Sequence, residues 1–101
     1  MTPDQYWLCK IAEECTEVAQ RALKAQQFGL SEIQPGQDLT NLERLADEFR
    51  DLLITFDEMM SRIGGFEFQP TDDQRRVRLA KAAKYLELSQ TLRQVDPDME
   101  I

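Results

Sequence analysis

The sequence contains no histidine. That absence removes imidazole as metal ligand, general base or activator of a nucleophile. Only two cysteines are present, Cys9 and Cys15. On a helix their six-residue separation is about 9 Å along the axis, too far for a comfortable disulfide. Cysteine use this sparse fits a reducing compartment, and the expected location is the cytoplasm. No apolar run approaches the length of a membrane span, and the first residues lack a charged-then-apolar leader pattern. Bases are scarce, 12 against 19 acids, for a net charge of −7. Polyanions need neutralising Lys and Arg, so neither nucleic acid nor a membrane is an expected partner. Any hydrolytic chemistry must run on carboxylates and a cation they hold.

What is present is ordinary globular material. The chain has 101 residues, 42% apolar and 31% charged. That suffices for one small domain, and self-association is a natural way to bury more surface. Thr2-Pro3-Asp4-Gln5 predicts a helix start, because Thr2 caps, Gln5 reaches back and Pro3 suits the first helical position. Apolar residues then recur at spacings of three and four, with Leu8, Ile11, Cys15 and Val18 among them, until Gly29. Pro35-Gly36 marks a turn within a loop from Leu30 to Leu39. Thr40 with Glu43 opens a second helix carrying Leu42, Leu45, Phe49, Leu52, Phe56 and Met60, closed by Gly64-Gly65. Thr71 with Gln74 opens a third, expected to run to about Val95. The expectation is an all-α fold of three main helices in a bundle completed by oligomerisation. A single domain is expected over 1–95, with a flexible tail over 96–101.

One pattern occurs twice. "AEECTEV" at 12–18 returns 34 positions later as "ADEFRDL" at 46–52. A tetratricopeptide array has this period but needs two helices per repeat, and here there is one helix and a loop. On a helical wheel at about 100° per residue, taking Cys15 as zero, Glu14 falls at about −100° and Glu17 at about −160°. With Phe49 as zero, Glu48 and Asp51 fall at the same two angles. Each pair is spaced i, i+3, beside the stripe expected to pack. Antiparallel packing would bring four carboxylates to the edge of one groove. Four such charges repel unless a cation intervenes, and an oxygen-only set selects Mg²⁺ or Mn²⁺ over zinc. A bare acid cluster without other catalytic side chains suggests phosphate chemistry with metal-activated water. The plainer alternative is surface ion pairing through Lys10–Glu14, Glu17–Arg21 and Arg44–Glu48, at a few tenths of a kcal/mol each.

The elements Glu13-Glu14-Cys15-Thr16-Glu17 and Glu48-Phe49-Arg50-Asp51 resemble the EExxE and ExxD signature of MazG-like all-α nucleoside triphosphate pyrophosphohydrolases. The stretches "ALKAQQFG", "QPGQDLTNLERL" and "KAAKYLELS" resemble short, phage-type members, so the likeness spans nearly the whole chain. The spacer between the acidic elements is longer than the family's usual gap. The resemblance implies Mg²⁺-dependent cleavage of a nucleoside triphosphate to monophosphate and pyrophosphate. By matching positions, Glu14, Glu17, Glu48 and Asp51 would ligate the metal. Glu13 is a further catalytic candidate, either supporting the site and its water or facing solvent.

A basic run supplies charge for a triphosphate. Arg75, Arg76, Arg78, Lys81 and Lys84 are five of the chain's 12 bases. Lys81, Lys84 and Tyr85 are the substrate-binding candidates there, with Lys24 a further one in the first helix; the alternative is a solvated face. Trp7 and Phe28 are candidates to stack on a base, or core residues. The competing function is a non-catalytic helical dimerisation or adaptor module with a degenerate acidic site.

Overall fold

In the computed structural model, which describes residues 1–97, the chain is all-helical: α1 spans Pro3–Phe28, α2 Asn41–Arg62 and α3 Asp72–Thr91. Residues 98–101, most of the expected tail, lie outside the described residues. The described residues contain no strand, and no helix among them is long and apolar enough to cross a membrane. The chain divides into two compact units, Met1–Glu67 and the segment from Phe68 onward.

All three helices begin as the sequence predicts. The backbone N–H groups of Gln5, Glu43 and Gln74 donate to the hydroxyls of Thr2, Thr40 and Thr71 at 3.2, 3.1 and 3.1 Å. Each Gln or Glu side chain accepts the threonine N–H in return, at 2.8, 3.0 and 2.9 Å. Two donors that a helix leaves unpaired are thereby satisfied at every start. Gly29 ends α1 at φ 98°, its N–H donating to the Ala25 carbonyl at 2.9 Å. The third helix stops at Thr91, short of Val95. Arg93 takes the left-handed conformation at φ 59°, while the Gln94 N–H donates back to the Ser89 carbonyl at 2.8 Å. This is a Schellman-type ending with arginine where glycine is usual, so no glycine announced it.

In the first unit α1 and α2 pack as a hairpin. Its closed end is a backbone clasp. The N–H groups of Asn41 and Leu42 donate to the carbonyls of Glu32 and Leu30 at 2.9 and 3.0 Å. The Asn41 amide donates to the Gly29 carbonyl at 2.8 Å and to the Glu32 carboxylate at 3.3 Å. Asn41 is 2% exposed. At the far end the Arg62 guanidinium lies 5.0 Å from the Trp7 ring centre, so the helices run antiparallel.

The packed seam is not centred where the wheel puts it. On α1 the half-buried positions are Trp7, Lys10, Ile11, Glu14, Val18, Arg21 and Lys24, while Cys15 and its neighbours Ala12 and Ala19 are exposed. On α2 they include Leu45, Glu48, Leu52 and Phe56, while Phe49 and Leu53 stay open. The seam is thus turned by about one residue, about 100°, toward Glu14 and Glu48. The apolar stripe on each helix is wider than one neighbour can cover, and half of it is left out.

In the second unit α3 has no buried residue. Its apolar side chains fall on two opposite sides, Val77, Tyr85 and Leu88 on one and Leu79, Ala82 and Leu86 about 180° away.

Candidate metal centre

Because Glu14 and Glu48 lie in the α1–α2 seam, the hairpin aims them at each other. Glu17, one turn past Glu14, joins them. One carboxylate oxygen from each of Glu14, Glu17 and Glu48 lies within 4.8 Å of the other two. Glu14 and Glu48 are half-buried and Glu17 is exposed, so the cluster has two walls and an open side. One oxygen of each of Glu14 and Glu48, Oε2, is buried without a hydrogen-bond donor. Buried polar atoms are nearly always paired, so two orphaned carboxylate oxygens in one cluster are unusual.

No base relieves them. Among the described residues the expected pairs Lys10–Glu14, Glu17–Arg21 and Arg44–Glu48 do not form. Lys10 bonds Glu13 at 3.2 Å instead, and Arg50 bonds Asp47 at 2.8 Å. Lys10 and Arg50 are thus taken up by the outer acids, while Arg21 and Arg44 form no ion pair among the described residues. Glu13 also accepts a long contact from the Cys9 thiol at 3.9 Å, and its hydrogen bond raises the Lys10 pKa. Glu13 therefore stands outside the cluster, as the partner of Lys10.

The electrostatics follow from this crowding. Burial pushes the Glu14 carboxyl above the usual carboxylate range, helped by the charges of Glu17 and Asp51. Glu48 is also raised, first by a hydrogen bond with the Glu17 carboxyl, then by burial and by the charges of Glu17, Asp51 and Glu14. Both shifts reflect negative charge that the surroundings leave uncompensated, and a cation would relieve it. Asp51 is exposed and is not among the three converging groups, yet its charge reaches two of them. Three of the four expected ligands therefore converge, with Asp51 at the rim.

The donor set fits a hard divalent cation. All ligand atoms are carboxylate oxygens, two of the three carboxylates carry an unsatisfied buried oxygen, and no imidazole or thiolate competes. Glu14, Glu17 and Glu48 are the residues that would hold it. Both cysteines are free, and neither belongs to the converging group.

The substrate-binding candidates are placed as follows. Lys24 lies over the Phe28 ring at 5.5 Å, within α1. Trp7 carries Arg62 on its face and meets Tyr6 edge-on at 5.6 Å, so both stacking candidates already have cationic neighbours. In the second unit Lys81 and Tyr85 form a cation–π pair at 6.0 Å, and Lys84 is exposed. Arg75 and Arg78 line a cavity of about 460 Å³ with Phe68, Pro70, Gln74 and Leu79. Sequence reading did not foresee this cavity, because it depends on how residues 68–70 turn into the helix.

No family model matches the chain, and neither a curated protein nor a solved structure gives a significant match.

The raised carboxyls predict a pH dependence of stability. A folded-state pKa above the unfolded value means the native state holds its proton more tightly. The contribution is fully present below the unfolded carboxylate pKa and disappears as pH rises through the raised values of Glu14 and Glu48. Metal-free protein should therefore melt at a higher temperature near pH 5 than near pH 8. Glu43, lowered by its bond to the Thr40 N–H, acts in the opposite sense and only at more acidic pH. Scanning fluorimetry in chelator against excess Mg²⁺ checks this. Mg²⁺ should narrow the gap, because it binds the deprotonated cluster. A metal-free curve that falls toward pH 5 would contradict the raised carboxyls of Glu14 and Glu48.

Proposed function

We propose that the chain is a divalent-metal-dependent nucleoside triphosphate pyrophosphohydrolase. The observation that supports it best is the seam cluster: three converging carboxylates, two orphaned oxygens and no base within pairing distance. A structural ion-pair network would pair these acids, yet half-buried Arg21 and Arg44 on the same two helices form no ion pair with them among the described residues. When bound, the metal supplies Lewis-acid stabilisation of phosphate charge and a water of lowered pKa.

Glu14, Glu17 and Glu48 would hold the ion. Asp51 adds negative charge at the rim without closing the open side, where a triphosphate can enter. Hydrolysis between the α and β phosphates places the oxygen of water on the monophosphate, and the bridging oxygen leaves with pyrophosphate. Lys81, Lys84 and Tyr85 are the preferred triphosphate contacts, with Lys24 the alternative. No motif on the chain reads a base or a sugar.

The competing reading, an adaptor module, is favoured by the amount of apolar surface left open on the helices. Metal response separates the two. Pyrophosphate release should appear with Mg²⁺ or Mn²⁺ across a panel of canonical and damaged triphosphates, and vanish in chelator. No release from any of them, together with no thermal shift by either metal, would favour the adaptor. Lys84→Ala should raise KM about tenfold, the loss of one charge-assisted phosphate contact. Calorimetric Mg²⁺ binding without nucleotide should be unchanged in that variant. Unaltered kinetics would return α3 to a solvated surface.

A further inference from the structure

The polar edge of the α1–α2 seam does not end at the carboxylates. Glu17 and Glu48 meet across it, with carboxylate oxygens within 4.8 Å. In antiparallel helices four residues forward on one match four residues back on the other. Arg21 therefore stands level with Arg44, one turn and about 6 Å nearer the clasp. With Glu14 and Glu48 as zero on the two wheels, Arg21 falls at about −20° and Arg44 at about −40°. Glu17 and Asp51 fall at about −60°, and in antiparallel helices rotations of one sign turn to one side. Ile11, Val18, Leu45 and Leu52, at about +40° to +60°, line the other side. The polar edge thus carries a level of acids and then a level of bases.

Arg21 and Arg44 are both half-buried. Neither makes a hydrogen bond, ion pair or ring contact among the described residues. Guanidiniums stay charged, so two like charges face each other in the seam. Their nearest acids along the chain are Glu17 and Glu48, at the i, i+4 spacing that favours pairing. Those carboxylates converge with Glu14 instead. Lys10, Arg50, Arg62 and Arg76 each bond a neighbouring acid on their own helix. The two seam arginines are therefore set apart from the surface bases, and what they lack is an acceptor.

We propose that Arg21 and Arg44 form an oxyanion site beside the acidic cluster, and that its ligand is a phosphoryl group. Each guanidinium presents a planar fork of donors that matches phosphate oxygens. A terminal phosphoryl group has three such oxygens, enough to satisfy both arginines and leave one directed at the acids. A carboxylate has two and cannot do both. An anion here and a divalent cation one turn away neutralise each other, so each tightens the other by the same factor. That coupling rests on reading the cluster as a cation site; the arginine site itself does not. Without a cation the acids oppose the anion, and its binding should be weak. Lys81 and Lys84 belong to the second unit, whereas this pair belongs to the unit that carries the cluster.

Thermal shifts of the full chain test this, with orthophosphate as probe and chloride at matched ionic strength as reference. In chelator, orthophosphate should raise the melting temperature of wild type, and acetate should not. Arg21→Met and Arg44→Met keep the apolar stem and remove the charge. Each should need about tenfold more phosphate for the same shift, the loss of one charge-assisted contact. Arg50→Met, which removes a base already bonded to Asp47, should respond as wild type does. Without phosphate the two seam variants should melt no lower than wild type, because each relieves a pair of facing like charges. A lower melting temperature there would make the arginines counter-charges of the fold and overturn the proposal. So would an equal shift by acetate, or a phosphate shift that all variants share, which is the general action of an excluded salt. Mg²⁺ then separates this site from the cluster. A phosphate response that tightens about tenfold with Mg²⁺ supports both. One that Mg²⁺ leaves unchanged supports the arginine site and removes the cation site. A shift by Mg²⁺ with none by phosphate overturns the arginine site alone.

Discussion

Glu48→Gln is expected to abolish Mg²⁺-dependent pyrophosphate release while leaving metal-free protein at least as heat-stable as wild type at pH 8. Glu48 is the only one of the three converging carboxylates that α2 supplies, and its buried oxygen has no donor. Losing a supporting group around a metal already costs 10–100-fold, so losing a direct ligand should cost about 100-fold or more. The stability arm is more telling. Without metal, three carboxyls crowd one another, and an amide at position 48 removes a charge while still donating to Glu17. With Mg²⁺ at about ten times its dissociation constant, wild type should gain about 1.4 kcal/mol, or about 5–10 °C. The variant should gain almost nothing. Retained hydrolysis, or a retained metal shift, would end the metal-site proposal. A variant much less stable than wild type in chelator would instead mark Glu48 as a structural residue.

Asn41→Ala should lower the melting temperature by about 5–10 °C, and Asn41→Asp should lower it further. The Asn41 amide bonds the Gly29 carbonyl and the Glu32 carboxylate from a site that is 2% exposed. Removing it loses about 2 kcal/mol, partly offset because its own buried carbonyl oxygen has no partner. The ordering of the two variants is the test. Asn41 is the first residue of α2, where an acid ordinarily gains from the helix dipole. If Asn41 only started a helix, aspartate would be neutral or favourable. In a clasp it loses the donor to Gly29 and sets a second charge against Glu32. Thermal unfolding of both variants decides it. Because the clasp sets the register of α2 on α1, Asn41→Ala should also weaken Mg²⁺ binding.

Much of this was legible in the sequence for local reasons. Three Thr-x-x-Gln/Glu boxes place three helix starts, and Pro35-Gly36 places the turn, because each acts within four residues. The doubled acid spacing located the cluster, since i, i+3 carboxylates on two capped helices can converge from only one side. The direction of the seam was not legible. Leu45 and Phe49 are equally apolar, and a stripe that broad does not say which half packs within the chain. That is why Glu14 and Glu48, expected beside the packed stripe, lie within it. The end of α3 was hidden because Arg93 adopts a left-handed backbone without glycine. The Asn41 clasp joins residues too far apart in sequence for any local rule. Asp51 shares the wheel angle of Glu17, yet it stays at the rim, because equal angles do not give equal depth along two helices.

The excess of acids on the hairpin makes its pull on cations depend on dissolved salt. Residues 1–67 carry 13 acids and 6 bases, the whole of the chain's net charge of −7. That excess raises the local concentration of divalent cations at the seam, over a range set by the Debye length, about 10 Å at 0.1 M. It also makes two hairpins repel as they approach. Added monovalent salt weakens both effects and thins the ion atmosphere around the acids. If the cluster holds a cation as proposed, ionic strength sets how strongly the hairpin draws it in, and that control is built into the excess of acids on residues 1–67.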